Sequence, residues 1–279
     1  MGYRSFLVHL DDSEQSEQRL ALAARLARSF SAELAGAYLV PTRELTPFTS
    51  AMLPDTMVAH RLHETGEAQA HAEARFHDAA AREQLLEANF SAPAGRPVDQ
   101  AILHARYADI AVVGQPLADD AHAGFERDLV HAILVSAGRP VLVVPHFGEY
   151  TTVGQTVLIA WKETRESARA VGDALPFLKR AGEVVVMSIS APGAEAARES
   201  QADAGIASFL ARHDVDAKVR HEVADDIDVG NLLLSRAADL SADLIVMGAY
   251  SRPRLSEAVL GGVTRLMLQA MTVPVLMSH

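Results

Sequence analysis

Ala108-Asp109-Ile110-Ala111-Val112-Val113-Gly114 and, 134 residues later, Ala242-Asp243-Leu244-Ile245-Val246-Met247-Gly248 carry one pattern twice. The spacing returns downstream without a gap, where Arg139-Pro140-Val141-Leu142-Val143-Val144 meets Val273-Pro274-Val275-Leu276-Met277. Each copy reads Ala-Asp, four apolar residues, Gly, a helical stretch, then Pro-Val-Leu. Short runs of Val, Ile and Leu without alternation fit strands buried on both faces, as in a parallel sheet covered by helices. The beginnings of the two halves also correspond, now 151 residues apart: Phe6-Leu7-Val8-His9-Leu10 falls on Val157-Leu158-Ile159-Ala160-Trp161, and Ser16 on Ser167. A spacing that changes between start and end requires an insertion, and Pro41 to about His60 has no counterpart after Ile189.

Between the apolar runs lie stretches of helical spacing. Leu20, Leu22, Ala23, Leu26 and Phe30 form one apolar stripe, and Val171, Ala174, Leu175, Leu178 and Ala181 another. Strands alternating with helices imply right-handed βαβ units. The fold class is therefore α/β: two tandem, doubly wound, Rossmann-like units with five-stranded parallel sheets, related by an internal pseudo-two-fold. The expected division is a first domain over 1–146, a linker over 147–154 and a second domain over 155–279. The closing strands, 141–144 and 275–277, would be bare apolar edges unless covered. The expectation is that they pair with each other, making an intramolecular pseudo-dimer; pairing of whole chains into a homodimer is left open.

The bulk properties remove several function classes. A formal net charge of −11, with basic residues scattered singly among acids, does not build a phosphate-tracking surface, so nucleic acid is not an expected partner. No apolar run is long enough to span a bilayer, so no membrane is expected. The start of the chain lacks the pattern of a signal peptide. Absence of cysteine excludes disulfides, thiolate nucleophiles and Cys-based zinc sites. A cytoplasmic location is the expectation.

Ligands of open α/β sheets bind beyond the carboxyl ends of the strands, where strand order reverses. For the order 3-2-1-4-5 that point lies between strands 1 and 4. The residues concerned follow strand 1 (Asp11, Asp12 and Ser13; Lys162, Glu163 and Thr164) and strand 4 (Gly114 onward; Gly248 onward). The second half is richer: Gly248-Ala249-Tyr250-Ser251-Arg252, then Gly261-Gly262-Val263-Thr264 opening a helix. A glycine turn before a helix offers free N–H groups and the positive end of the helix dipole, which suits phosphate. Thr264 adds a hydroxyl, and Arg252 or Arg265 a cation.

Each feature has a plainer reading. Gly248 could serve a tight turn, Asp11 a helix start with Ser13 as its cap, and Trp161 packing. His60, His63, Glu67 and His71 share a helix face but match no zinc motif, and no metal is expected beyond magnesium carried by a nucleotide. No P-loop, dinucleotide, nucleophile-elbow or metalloprotease motif occurs. The residues show no catalytic machinery.

With these residues on the page, the chain resembles a tandem universal stress protein over nearly its whole length. In the ATP-binding branch of that family the fingerprint is G-x2-G-x9-G-[S/T], with an Asp ending strand 1. The second half keeps Gly248 and Gly261, with Ser251 at the middle Gly, Gly262 at the hydroxyl position and Lys162 at the acid. The first half has Asp11 at the acid but Gln115-Pro116-Leu117 after Gly114, and Arg127-Asp128 where the other copy has Gly261-Gly262. The resemblance implies a stress-response protein acting by binding. ATP or another adenine nucleotide would be the cofactor, held by Gly248, Ser251, Arg252, Gly261, Gly262, Val263 and Thr264, with Asp11 as the family's acid. Two alternatives stand beside it. One is a slow ATPase needing a magnesium carboxylate, for which Asp225, Asp226 and Asp228 are nearest in sequence. The other is a nucleotide-free scaffold whose partners dock around Pro41–His60, with Met52 and Met57 exposed.

Overall fold

The computed structural model describes residues 2–41, 55–116, 123–190, 196–224, 228–250 and 262–279. Its first half runs β1 (Ser5–Leu10), α1 (Glu14–Phe30), β2 (Glu33–Tyr38), α2 (Asp55–Arg82), β3 (Ala88–Ser91), α3 (Pro97–Arg106), β4 (Ile110–Gly114), α4 (Ala123–Ser136) and β5 (Val141–Val144). The second repeats the alternation: β6 (Thr156–Trp161), α5 (Arg165–Leu178), β7 (Glu183–Ser190), α6 (Ala196–Arg212), β8 (Lys218–Val223), α7 (Val229–Asp239), β9 (Leu244–Gly248), α8 (Gly262–Ala270) and β10 (Val275–Ser278).

All ten strands join one sheet in the order β3-β2-β1-β4-β5-β10-β9-β6-β7-β8. Each half is parallel and has the expected order 3-2-1-4-5. The seam is antiparallel: Val143 pairs with Val275, Leu142 with Leu276 and Val141 with Met277. Under the 134-residue repeat, Leu142 and Leu276 are equivalent, and the pairs on either side exchange. The seam register is thus that of a two-fold axis through the Leu142–Leu276 pair. The two bare edges expected from the sequence cover each other.

The repeated Ala-Asp pair has a physical reason in both halves. Asp109 accepts the N–H groups of Arg4 and Ser5 at 2.7 and 3.1 Å. Asp243 accepts those of Gly154, Gln155 and Thr156 at 2.9, 3.1 and 3.0 Å. Each carboxylate ties the start of its half's first strand to the start of the fourth, satisfying donors that the ladder leaves over.

The helices cover both faces. One core packs α1, α2, α5 and α6 on the sheet, the other α3, α4, α7 and α8. On the first face Tyr3, Phe6, Phe30 and Phe177 interlock with ring centroids 5.2 to 5.7 Å apart, joining first-half residues to α5. Tyr3 donates its hydroxyl to the carbonyl of Asp173 at 2.5 Å. On the opposite face the amide of Gln115 reaches the carbonyl of Leu268 at 3.0 Å. Among the described residues no helix is long and apolar enough to cross a membrane.

Candidate ligand cavity of the second half

In a parallel βα sheet each helix returns against its strand, so helix N-termini gather at the strands' carboxyl ends. The seam is antiparallel, so the carboxyl ends of β1–β5 and of β6–β10 lie at opposite rims of the sheet. The chain therefore has two switch points that do not meet. Asp11 sits at one rim; Gly248, Gly262, Val263 and Thr264 sit at the other.

At the second-half rim a cavity of about 410 Å³ opens between β6, β7 and β9 and the starts of α5, α7 and α8. Its strand wall carries Ala160, Trp161, Met187, Ile189, Met247 and Gly248; its helix wall carries Thr164, Ser167, Val229, Leu233, Val263 and Thr264. The volume lies in the range of small-molecule sites, and the apolar walls with a few polar groups match their usual lining.

Two of the three helix starts are capped by the chain itself. Thr164 Oγ1 accepts the N–H of Ser167 at 3.3 Å, and Asp228 Oδ1 accepts that of Gly230 at 2.8 Å. At the third, α8 begins at Gly262, where an added Cβ would meet no described atom within 4 Å. Nothing in the described protein demands glycine there. Thr264 is buried, and its hydroxyl accepts the N–H of Tyr250 at 3.5 Å, holding α8 to the end of β9. Tyr250 itself adopts φ 60°, turning the chain off the strand in a conformation non-glycine residues seldom take.

Gly248 has a packing reason that the sequence did not reveal. A Cβ there would stand 2.5 Å from the N of Ser167 and 2.6 Å from the carbonyl carbon of Glu166. These are backbone atoms, so α5 can lie against β9 because residue 248 has no side chain.

The first half is built differently at the equivalent place. Arg19 is 3% exposed; its Nε donates to the carbonyl of His9 at 2.7 Å and its Nη2 to Asp11 Oδ2 at 2.8 Å. Its Nη1 reaches to 2.5 Å of where a Gly114 Cβ would stand, so that glycine makes room for the guanidinium. Asp11 also accepts the N–H and hydroxyl of Ser13, the N-cap of α1. Burial would raise the Asp11 carboxyl, but Arg19, His9 and Ser13 together hold it well below the usual carboxylate range. Burial, reinforced by Arg19, pushes His9 down to about 4, so the ring is neutral and bonds the Leu39 carbonyl at 2.8 Å. The 151-residue correspondence places Ala160 at His9, Lys162 at Asp11 and Ala170 at Arg19. Where one copy holds a buried histidine and ion pair, the other has two alanines and a lysine.

Of the sequence candidates, Gly248, Gly262, Val263 and Thr264 meet at the cavity, and Asp11 is engaged at the far rim. Ser251, Arg252 and Gly261 lie outside the described residues, as do Asp225, Asp226 and Met52. Asp228 does reach the cavity, as the cap of α7. Met57 is exposed on α2. On the same helix His60 pairs with Glu64 and His63 with Glu67, each at 3.3 Å along the exposed surface. Among the described residues no cluster of three or more ligating side chains is arranged for a metal. Sequence reasoning missed Met187, Ile189, Val229 and Leu233, whose strand and helix types gave no sign that they end at one rim. It also missed a polar fastening at the outer edge, where Ser190 Oγ lies 3.0 Å from His221 Nε2 and Asp203 accepts the Ser188 hydroxyl, joining α6 to β7 and β8.

Comparison with known proteins gives three findings. Residues 154–279 match the sequence model of the Universal stress protein family. Solved structures share the fold of the full chain, two of them as follows. A universal stress protein from Archaeoglobus fulgidus DSM 4304 is 17% identical, with a TM-score of 0.74 over 98% of this chain and 95% of that one. A protein designated a universal stress protein from Pseudomonas aeruginosa UCBPP-PA14 is 16% identical, with a TM-score of 0.60 over 99% and 93%. Among curated proteins, none matches the sequence.

Proposed function

We propose that this chain, which carries a universal stress protein domain over residues 154–279, acts by binding one small ligand in its second half, an adenine nucleotide such as ATP. The chain divides functionally into a first domain, 1–146, and a second, 155–279, joined by 147–154. The observation that carries the reading is the cavity of about 410 Å³ at the second-half switch point, lined by the start of α8 at Gly262, Val263 and Thr264.

The residues present fit a nucleotide. Apolar side chains from β7, β9 and α7 offer a surface for a flat ring. The N–H groups at the start of α8 and the dipole behind them suit a phosphate. Gly262, Val263 and Thr264 would hold that end, with Gly248 bringing α5 close enough to close the floor. Asp11 takes no part, since it is engaged with Arg19 at the opposite rim. A bound nucleotide supplies a reason for the second half to change its affinity for a partner, by whatever difference in nucleotide affinity exists between its conformations.

Equilibrium dialysis with labelled ATP tests the reading. Retention of one nucleotide per chain, abolished by Gly262→Val at the helix start, is the expected result. No retention at millimolar ATP refutes it.

A further inference from the structure

We infer that the second-half cavity recognises an acidic group on its ligand through Lys162, and so discriminates anionic ligands from neutral ones of the same shape. The inference rests on the reading above that this cavity is the ligand site, and it names the ligand chemistry.

The argument comes from the two copies of one position. After β1 the chain places the carboxylate of Asp11 and supplies its cation, Arg19, from the next helix at 2.8 Å. After β6 the equivalent residue is Lys162, which lines the cavity. The position that supplied the counter-charge is Ala170, which is buried. Among the described residues the Lys162 ammonium has no ion-pair partner. The carboxylate in the cavity lining, Asp228, accepts the Gly230 N–H of its own helix. The charge has therefore been inverted and its internal partner deleted.

The same exchange makes room. Alanines replace the His9 ring and the Arg19 guanidinium at Ala160 and Ala170, and Ala160 is part of the cavity wall. A ligand that enters meets apolar side chains (Met187, Ile189, Val229, Leu233 and Met247) and the ammonium of Lys162, which has no ion-pair partner among the described residues. An acid with a flat apolar body satisfies both; a neutral body leaves the ammonium to water. A phosphate ester and a carboxylate share this chemistry, and the test separates them.

Titration calorimetry on the full chain, at low and moderate salt, would use three probes: AMP, adenosine and 2-naphthoate. The expected result is that AMP binds at least about tenfold more tightly than adenosine, the scale of one charge-assisted contact. Lys162→Ala should cut that advantage several-fold, the start of α8 keeping the remainder, while leaving adenosine affinity within twofold, and Lys162→Arg should restore most of the loss. Binding of naphthoate with the same Lys162 dependence would identify the acid itself as the determinant. Binding of AMP alone would show that the determinant is a phosphate on a nucleoside; both support the inference. Adenosine matching AMP in the wild type, or AMP indifferent to Lys162→Ala, overturns it while leaving the cavity reading intact. Failure of all three probes, with no retention of ATP in dialysis, overturns both. Lys162 is exposed, so the variants keep the fold.

Discussion

Replacing Arg19 by Met tests whether the first-half switch point is an internal structural site. Arg19 is 3% exposed and its partner Asp11 has a side chain 13% exposed, so their ion pair is screened little by solvent. Met retains the length of the straight stem but removes both donors, leaving the buried Asp11 carboxylate with only Ser13 and the His9 ring beside it and the His9 carbonyl without its side-chain donor. Breaking a buried pair from one side costs about 3–5 kcal/mol. For a chain of this size that corresponds to a fall in Tm of the order of 10 °C. The double variant Asp11→Ala, Arg19→Met removes the stranded charge and should recover much of that loss, as apolar replacements of buried pairs often do. The sign with pH is fixed by the depressed Asp11 carboxyl. Its contribution is present above the unfolded-state value of about 4 and is lost as pH falls below it. The gap between wild type and Arg19→Met, measured by urea unfolding with a secondary-structure probe, should therefore shrink on acidification. A single variant within 1 kcal/mol of wild type at pH 7, or a double variant no better than the single, would refute the assignment.

His9 gives a second pH signature. Its folded value of about 4 lies below the unfolded value of 6.5, so between these the unfolded chain binds a proton that the folded chain does not. Stability should rise across that window by about 3 kcal/mol and be complete above it; His9→Gln should flatten the slope in a pH series of urea melts. Gly248→Ala should destabilise by about 1–3 kcal/mol, because its Cβ would press on the Ser167 and Glu166 backbone, whereas Gly262→Ala should leave the melting temperature unchanged or raised. Equal losses in the two variants would contradict the packing described. Phe177→Ala, in the aromatic cluster between the halves, should cost about 3–5 kcal/mol and be read as a lower Tm in calorimetry.

The architecture was legible because it is written in features that sequence displays directly. The doubled Ala-Asp-apolar-Gly run and the Pro-Val-Leu endings located strands 4 and 5 of each half. The apolar edges at 141–144 and 275–277 then demanded cover, and the seam supplies it. The site was legible only in its position. Gly248 looked like a phosphate glycine, and its contact with the backbone of residues 166 and 167 could not be seen without coordinates. Asp11 matched a family acid, but its partner Arg19 lies eight residues on, inside an apolar helix stripe, where a buried arginine has no sequence signature. The antiparallel seam also separates Asp11 from the glycines, a consequence of topology that a motif list does not contain.

That separation explains how the two copies came to differ. A two-fold seam puts the switch points at opposite rims, so no ligand bridges them and neither constrains the other's residues. What both must keep is shared geometry: Gly114 and Gly248 at the ends of their fourth strands, Asp109 and Asp243 holding the first strands in place. At each rim a helix is brought against a glycine, and the two halves meet the polar requirement there in different ways. The first supplies an arginine and a carboxylate from its own chain, which order α1 without any bound molecule. The second has alanines where that ion pair's arginine and the histidine stood, and a cavity lies at its rim. A ligand in that cavity would touch the starts of α5, α7 and α8, whereas the first-half rim is held by the chain's own Arg19 and Asp11. Binding should therefore protect amides of α5, α7 and α8 from hydrogen exchange while leaving those of α1 unaltered.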